Sequence, residues 1–115
     1  MKQIPYYYDS IDRNAIVIKP RQLLFDWLNG IYPDSPVEES GEGTVYLVRE
    51  RDCNEEIENW LQKNFDSLFQ NELNNWHTDQ KDWPKNRTYQ QFAQWFAFEI
   101  HSMVLDLEEN PIRKD

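Results

Sequence analysis

The chain has one cysteine, Cys53, so no intrachain disulfide can form and a reducing compartment is its expected home. It has only three glycines, Gly30, Gly41 and Gly43, too few and too scattered for a loop that cradles phosphate. No serine lies in a G-x-S-x-G elbow, and neither H-x-x-x-H nor C-x-x-C spacing occurs. No apolar run approaches the ~18 residues of a membrane span, and the opening MKQIPYYYDS lacks the apolar stretch of a signal peptide. Cations are scarce: 12 Lys and Arg stand against 21 Asp and Glu, a net charge of -9. Such a surface repels phosphate, which argues against general nucleic-acid binding and against anionic membranes. Cytoplasm is the expected location, with no cofactor and no metal.

What is present in quantity is aromatic. Five Trp, six Tyr and six Phe in 115 residues offset a mean hydropathy of -0.89 and argue for a folded chain. The length fits one domain, 1–115, large enough to bury a core without staples. Within it, residues 1–12 read as an N-terminal arm, 33–43 as an acidic Pro/Gly loop, 77–87 as a Trp-rich loop and 108–115 as a polar tail.

Residues 14–20, NAIVIKP, form a β-branched run closed by proline, as expected of a buried strand whose proline opens the next helix. Leu23, Leu24, Trp27, Leu28 and Ile31 then share a helical face, with Gly30 as the stop. TVYLVRE, 44–50, reads as a second strand. Ile57, Trp60, Leu61, Leu68, Phe69, Leu73 and Trp76 hold a 3.6-residue period, started by a capping box at Asp52 and Glu55. This predicts one long helix, or two with a bend near 64–66. Thr88 and Gln91 form a second capping box, and Tyr89, Phe92, Ala93 and Phe96 line the helix that follows. Residues 100–107 read as a third strand. The order β-α-β-α(α)-α-β predicts an α/β fold: a small three-stranded, mainly parallel sheet packed against three to four helices. A mostly helical fold, with 88–105 as one helix, is the alternative. The expected core includes Trp27, Trp60, Leu61, Leu68, Phe92 and Phe96.

NNWHTDQKDWPKNRT, 74–88, crowds tryptophan, histidine and both charges into a connection. One reading is a corner pinned by tryptophans, with Thr88 capping the next helix. The other is a small-ligand or hydrolase site built from His77, Asp79, Trp83, Lys85 and Arg87, with His101 joining from the third strand. Two histidines are a thin supply for a metal, and neighbouring acids blunt Cys53 as a nucleophile. The segments NELNNWHTDQKDWPKNRTYQQFAQWFAFEIHSMVLDL and AIVIKPRQLLFDWLN resemble an uncharacterised family of small acidic bacterial proteins, WPKNRT and IHSMVLDL being the most specific parts. The resemblance covers most of the chain. It implies a bacterial cytoplasmic protein and assigns no catalytic residue.

Nine carboxylates lie from Asp34 to Glu58, against Arg49 and Arg51: Asp34, Glu38, Glu39, Glu42, Glu50, Asp52, Glu55, Glu56 and Glu58. They read either as a solvated face or as a surface for a basic protein partner. The leading expectation is therefore a non-enzymatic interaction or inhibitor/immunity-like module, with the ligand site at 77–87 as the alternative. Tyr6, Tyr7 and Tyr8 suggest a covered sheet edge or a homodimer contact.

Overall fold

A computed structural model describes residues 11–39 and 41–114. The Tyr6–Tyr8 cluster lies outside the described residues, and so does the contact expected of it. Three strands and three helices follow in the order β1 (Arg13–Pro20), α1 (Gln22–Ile31), β2 (Thr44–Arg49), α2 (Asn54–Trp76), α3 (Tyr89–Trp95), β3 (Phe96–His101). The architecture is α/β, but the sheet is antiparallel throughout, with β1 central in the order β2-β1-β3. The expectation of parallel strands is overturned.

The register gives the reason. β2 begins with Thr44 opposite Ile18, and β3 begins with Phe96 opposite Pro20. Both outer strands thus start beside the end at which β1 finishes. A helical connection forces parallel pairing only if the chain enters the next strand at the opposite end. Here α1 carries the chain away and the 32–43 loop brings it back. Asn29 closes that loop onto α1 with a reciprocal pair of bonds: Nδ2 donates to the Val37 carbonyl (3.1 Å), and the Val37 N–H donates to Oδ1 (2.8 Å).

Alternation on the strands separates two faces. Asn14, Ile16 and Ile18 of β1, Tyr46 and Val48 of β2, and Phe96, Phe98 and Ile100 of β3 turn toward the helices. Val45 and Leu47 turn away with Glu99 and His101, and they stay exposed. The core sits between the first face and the apolar stripe of α2, where Ile57, Leu61, Phe69 and Leu73 are fully buried. Phe69 is its hub, with ring centroids 5.7 Å from Phe92, 5.7 Å from Trp95 and 5.5 Å from Phe96. Of the expected core, Leu61, Leu68, Phe92 and Phe96 are buried, whereas Trp27 and Trp60 are only partly so. Both rings have polar company at the rim. Trp27 Nε1 donates to the Asp82 carbonyl at 3.0 Å, and the Arg51 guanidinium lies 5.7 Å from the Trp60 ring.

Several boundaries differ from the sequence reading. Pro20 ends β1 rather than opening α1, and Gly30 lies inside α1. α2 runs as one helix, and its N-cap is Cys53, with no side-chain cap bond; instead the Asp52 N–H donates to Glu56 Oε2 at 3.1 Å. Cys53 is exposed. β3 begins at Phe96 and ends at His101, so 102–107 is not strand and the helical alternative for 88–105 does not hold. Phe96 leaves the helix at once with extended backbone angles, and the Arg21 N–H donates to the freed Trp95 carbonyl at 2.8 Å. Asn14 Oδ1, buried on β1, accepts the Arg51 N–H at 2.8 Å and ties the start of the sheet to the turn before α2.

Candidate functional site

The 77–87 connection was the sequence's most suggestive stretch, and the structure closes it on itself. Trp83 is 7% exposed, and its indole N–H donates to the His77 carbonyl at 2.8 Å. His77 Nδ1 lies 2.6 Å from the Tyr32 hydroxyl, and Nε2 lies 2.8 Å from Asp82 Oδ2. A phenol, an imidazole and a carboxylate therefore stand in line, in the order of a proton relay. Both ring nitrogens are already engaged, however, so the ring holds its neighbours and has no nitrogen left for a substrate. Tyr32 and Trp27 pack edge-on to the imidazole at 5.4 and 6.1 Å. Asp79 accepts the Lys81 N–H at 3.1 Å and caps the 3-10 turn Gln80–Asp82.

The remaining expected site residues are dispersed. Arg87 reaches back to the middle of α2, where Nε donates to Asp66 Oδ1 at 2.6 Å and Nη2 to Oδ2 at 3.3 Å, while Nη1 donates to the Pro84 carbonyl at 3.0 Å. The guanidinium's hydrogen bonds hold the Asp66 carboxyl below the usual carboxylate range. Lys85 is exposed. His101 lies on β3 opposite Ala15, with Nε2 3.2 Å from Glu99 Oε2. His77 follows Trp76, which lies beside Pro20 at the other end of β1. The run from Ala15 to Pro20 alone separates those ends by roughly 16 Å. The structure thus brings His77 and Trp83 together, commits Arg87 to Asp66 and the Pro84 carbonyl, and leaves His101 elsewhere. Tyr32 and Asp82 complete the corner, and no spacing in the sequence announced Tyr32.

The β2 side is different. Val45 is 60% exposed and Leu47 44%, on a strand at the sheet's edge. All nine carboxylates of the 34–58 region are exposed. Glu42 precedes the strand, exposed Arg49 ends it on the same face as Val45 and Leu47, and Glu50 and Asp52 follow, so an apolar centre lies between ends that carry more acid than base. Of the outward cations nearby, Arg13 is paired with Asp12 at 2.9 Å.

Behind the same strand a cleft of about 180 Å³ is lined by Pro20, Glu42, Gly43, Thr44, Glu72, Asn75 and Trp76. Glu72 is 1% exposed and accepts the Tyr46 hydroxyl on Oε2 at 2.5 Å. Tyr46 also accepts from Asn71 Nδ2 at 2.8 Å. Burial raises the Glu72 pKa, against the opposing hydrogen bonds from Tyr46 and Thr44. Burial, then the bond to Glu72, raises the Tyr46 pKa. Gly43 is needed here because a Cβ would lie 2.6 Å from the Ile18 carbonyl oxygen. Sequence reasoning passed over Glu72, although a signal existed: it stands between Leu68 and Trp76 on the apolar stripe of α2, where a carboxylate is out of place.

Among the described residues no three His, Cys, Asp or Glu side chains converge as a metal site would, and no helix is long and apolar enough to cross a membrane. Comparison with protein-family models, with curated proteins and with solved structures returns no match to this chain.

Proposed function

We propose that this protein is a non-enzymatic interaction module, of an inhibitor or immunity-like kind, that docks a basic protein partner along strand β2. The observation that carries the reading is the pairing of Val45 and Leu47, exposed on an edge strand, with carboxylates at both ends of that strand. Interfaces are built this way, with an apolar centre and a polar rim, and opposite charge speeds encounter. A catalytic site on the 77–87 loop would have to use an imidazole with both nitrogens engaged, so that reading has weaker support. The bacterial cytoplasm as location rests on the single cysteine and the family resemblance.

Capture of proteins from a lysate of the source organism, at low and at high salt, tests the reading. The expected result is a basic protein retained at low salt, released at high salt, and lost from the Glu50→Lys/Asp52→Lys variant. Retention that ignores both salt and the charge reversal would overturn it.

A further inference from the structure

Tyr32, His77 and Asp82 come from three separate elements and meet in one line. Tyr32 follows the last residue of α1, His77 follows the last residue of α2, and Asp82 ends the 3-10 turn. The phenol oxygen is 2.6 Å from His77 Nδ1, and His77 Nε2 is 2.8 Å from Asp82 Oδ2. An ionised carboxylate only accepts, so in the neutral ring Nε2 carries the hydrogen and donates to Asp82. Nδ1 is then the acceptor, and the Tyr32 hydroxyl donates to it.

Each backbone in the line is tied. The Tyr32 N–H donates to the Leu28 carbonyl at 3.0 Å, and the His77 N–H donates to the Leu73 carbonyl at 2.9 Å. The Trp83 indole holds the His77 carbonyl and the Trp27 indole holds the Asp82 carbonyl. The inward bonds of the corner thus fix a base against a hydroxyl, and a carboxylate against the far side of the base. A nucleophile is activated by that arrangement. His77 has no nitrogen left for a substrate, and its side chain is only 10% exposed. Tyr32 is 44% exposed, so an electrophile arriving from solvent meets the phenol before the imidazole.

The surroundings select the electrophile. Among the described residues no lysine or arginine bonds to any of the three side chains, and Asp34 stands two residues beyond Tyr32. A phosphoryl donor would find no cation for its charge there. An uncharged acyl carbon needs none.

We propose that Tyr32 is an acylation site, at which the phenol takes an acyl group from an activated, uncharged ester or thioester. Its oxygen bonds to the acyl carbon while the bond from that carbon to the leaving oxygen or sulfur breaks, and the leaving group departs with the electron pair. The phenolic proton passes to His77 Nδ1 and from there to water. Asp82 is the positioning residue, which fixes the tautomer and stabilises the imidazolium. The transfer is stoichiometric, and it stands independently of the docking reading because Tyr32 lies outside β2.

The test is incubation of the full chain with p-nitrophenyl acetate near neutral pH, followed by peptide mass mapping. Acetyl on the Tyr32 oxygen is expected, formed roughly 100-fold faster than on N-acetyltyrosinamide in the same buffer. His77→Gln should return Tyr32 to the rate of the free phenol, which climbs only in alkali. Asp82→Asn alters a half-exposed side chain and keeps its shape. It should slow labelling of Tyr32 by roughly tenfold, while exposed Lys85 in the same sample is acetylated as in wild type. Asp82→Glu, which restores the carboxylate, should recover part of the loss. A Tyr32 that reacts no faster than the free phenol would overturn the proposal, as would acetyl on His77 in its place. A rate indifferent to both His77→Gln and Asp82→Asn would overturn it too.

Discussion

The corner at 76–88 and the β2 side of the sheet are opposites in how they use polar groups. In the corner, His77, Asp79, Trp83, Arg87 and Thr88 all direct their hydrogen bonds inward to the protein. On the β2 side, a buried glutamate faces a cleft, two aliphatic side chains face outward and the carboxylates are exposed. The segment richest in residues that look chemical is satisfied internally. The plainer one has binding capacity to spare. Uncovered apolar area locates a binding site better than residue type does.

The comparison breaks if the corner proves dispensable to stability. Trp83→Ala removes a buried indole and its bond to the His77 carbonyl, and should cost about 3–5 kcal/mol while leaving the affinity of the folded protein for its partner unchanged. Denaturant unfolding and capture, run on the same variant, check both halves.

Arg87→Ala comes next. It deletes the three bonds that tie the end of the corner to Asp66 and Pro84, and should cost about 1–2 kcal/mol, discounted because Asp66 is half exposed. The Asp66 carboxyl has a lowered pKa in the folded state. Its contribution is therefore present above the unfolded carboxylate value and is lost as pH falls through the folded one. The gap between wild type and Arg87→Ala should accordingly narrow in acid, which unfolding curves from neutral pH to below about 4 would show.

Thr88 Oγ1 accepts the Gln91 N–H at 3.1 Å, and Thr88→Ala should cost about 1 kcal/mol, read from the shift in urea midpoint.

The smallest effect has the opposite sign. Burial raises the Glu72 pKa, so the folded protein holds that proton more tightly than the unfolded chain does. This contribution favours the fold below the unfolded glutamate value and is lost as pH rises through the folded one. Glu72→Gln mimics the protonated acid. It should melt above wild type near neutral pH, and the difference should shrink below about pH 4. A variant that melts lower at neutral pH would show that the cleft is not a strained place for a charge.

How much of this could be read in the sequence depends on the range of the interaction concerned. The helix period of 57–76 and the Thr88–Gln91 capping box are local, and both helices stand where that pattern put them. Trp83 was legible as an anchor because a large aromatic beside proline in a connection usually secures packing. Strand direction was not legible. It depends on the 32–43 loop bringing the chain back to the end of β1, and composition does not record where a loop ends. The start of β3 was hidden because Phe92 and Phe96 keep helical spacing, while the period-two alternation of Phe96, Phe98 and Ile100 begins at the same residue. Tyr46 and Glu72 meet across 26 positions, and Tyr32 and His77 across 45. Only the fold makes those pairs.

The central claim is that binding belongs to the β2 edge and not to the corner. Leu47→Lys alters the exposed centre of that edge, and Lys85→Ala trims an exposed side chain of the corner; both should melt close to wild type. Partner capture by these two variants side by side is the direct measurement. Leu47→Lys is expected to lose the partner while Lys85→Ala retains it at wild-type level. Retention by Leu47→Lys together with loss from Lys85→Ala would contradict it.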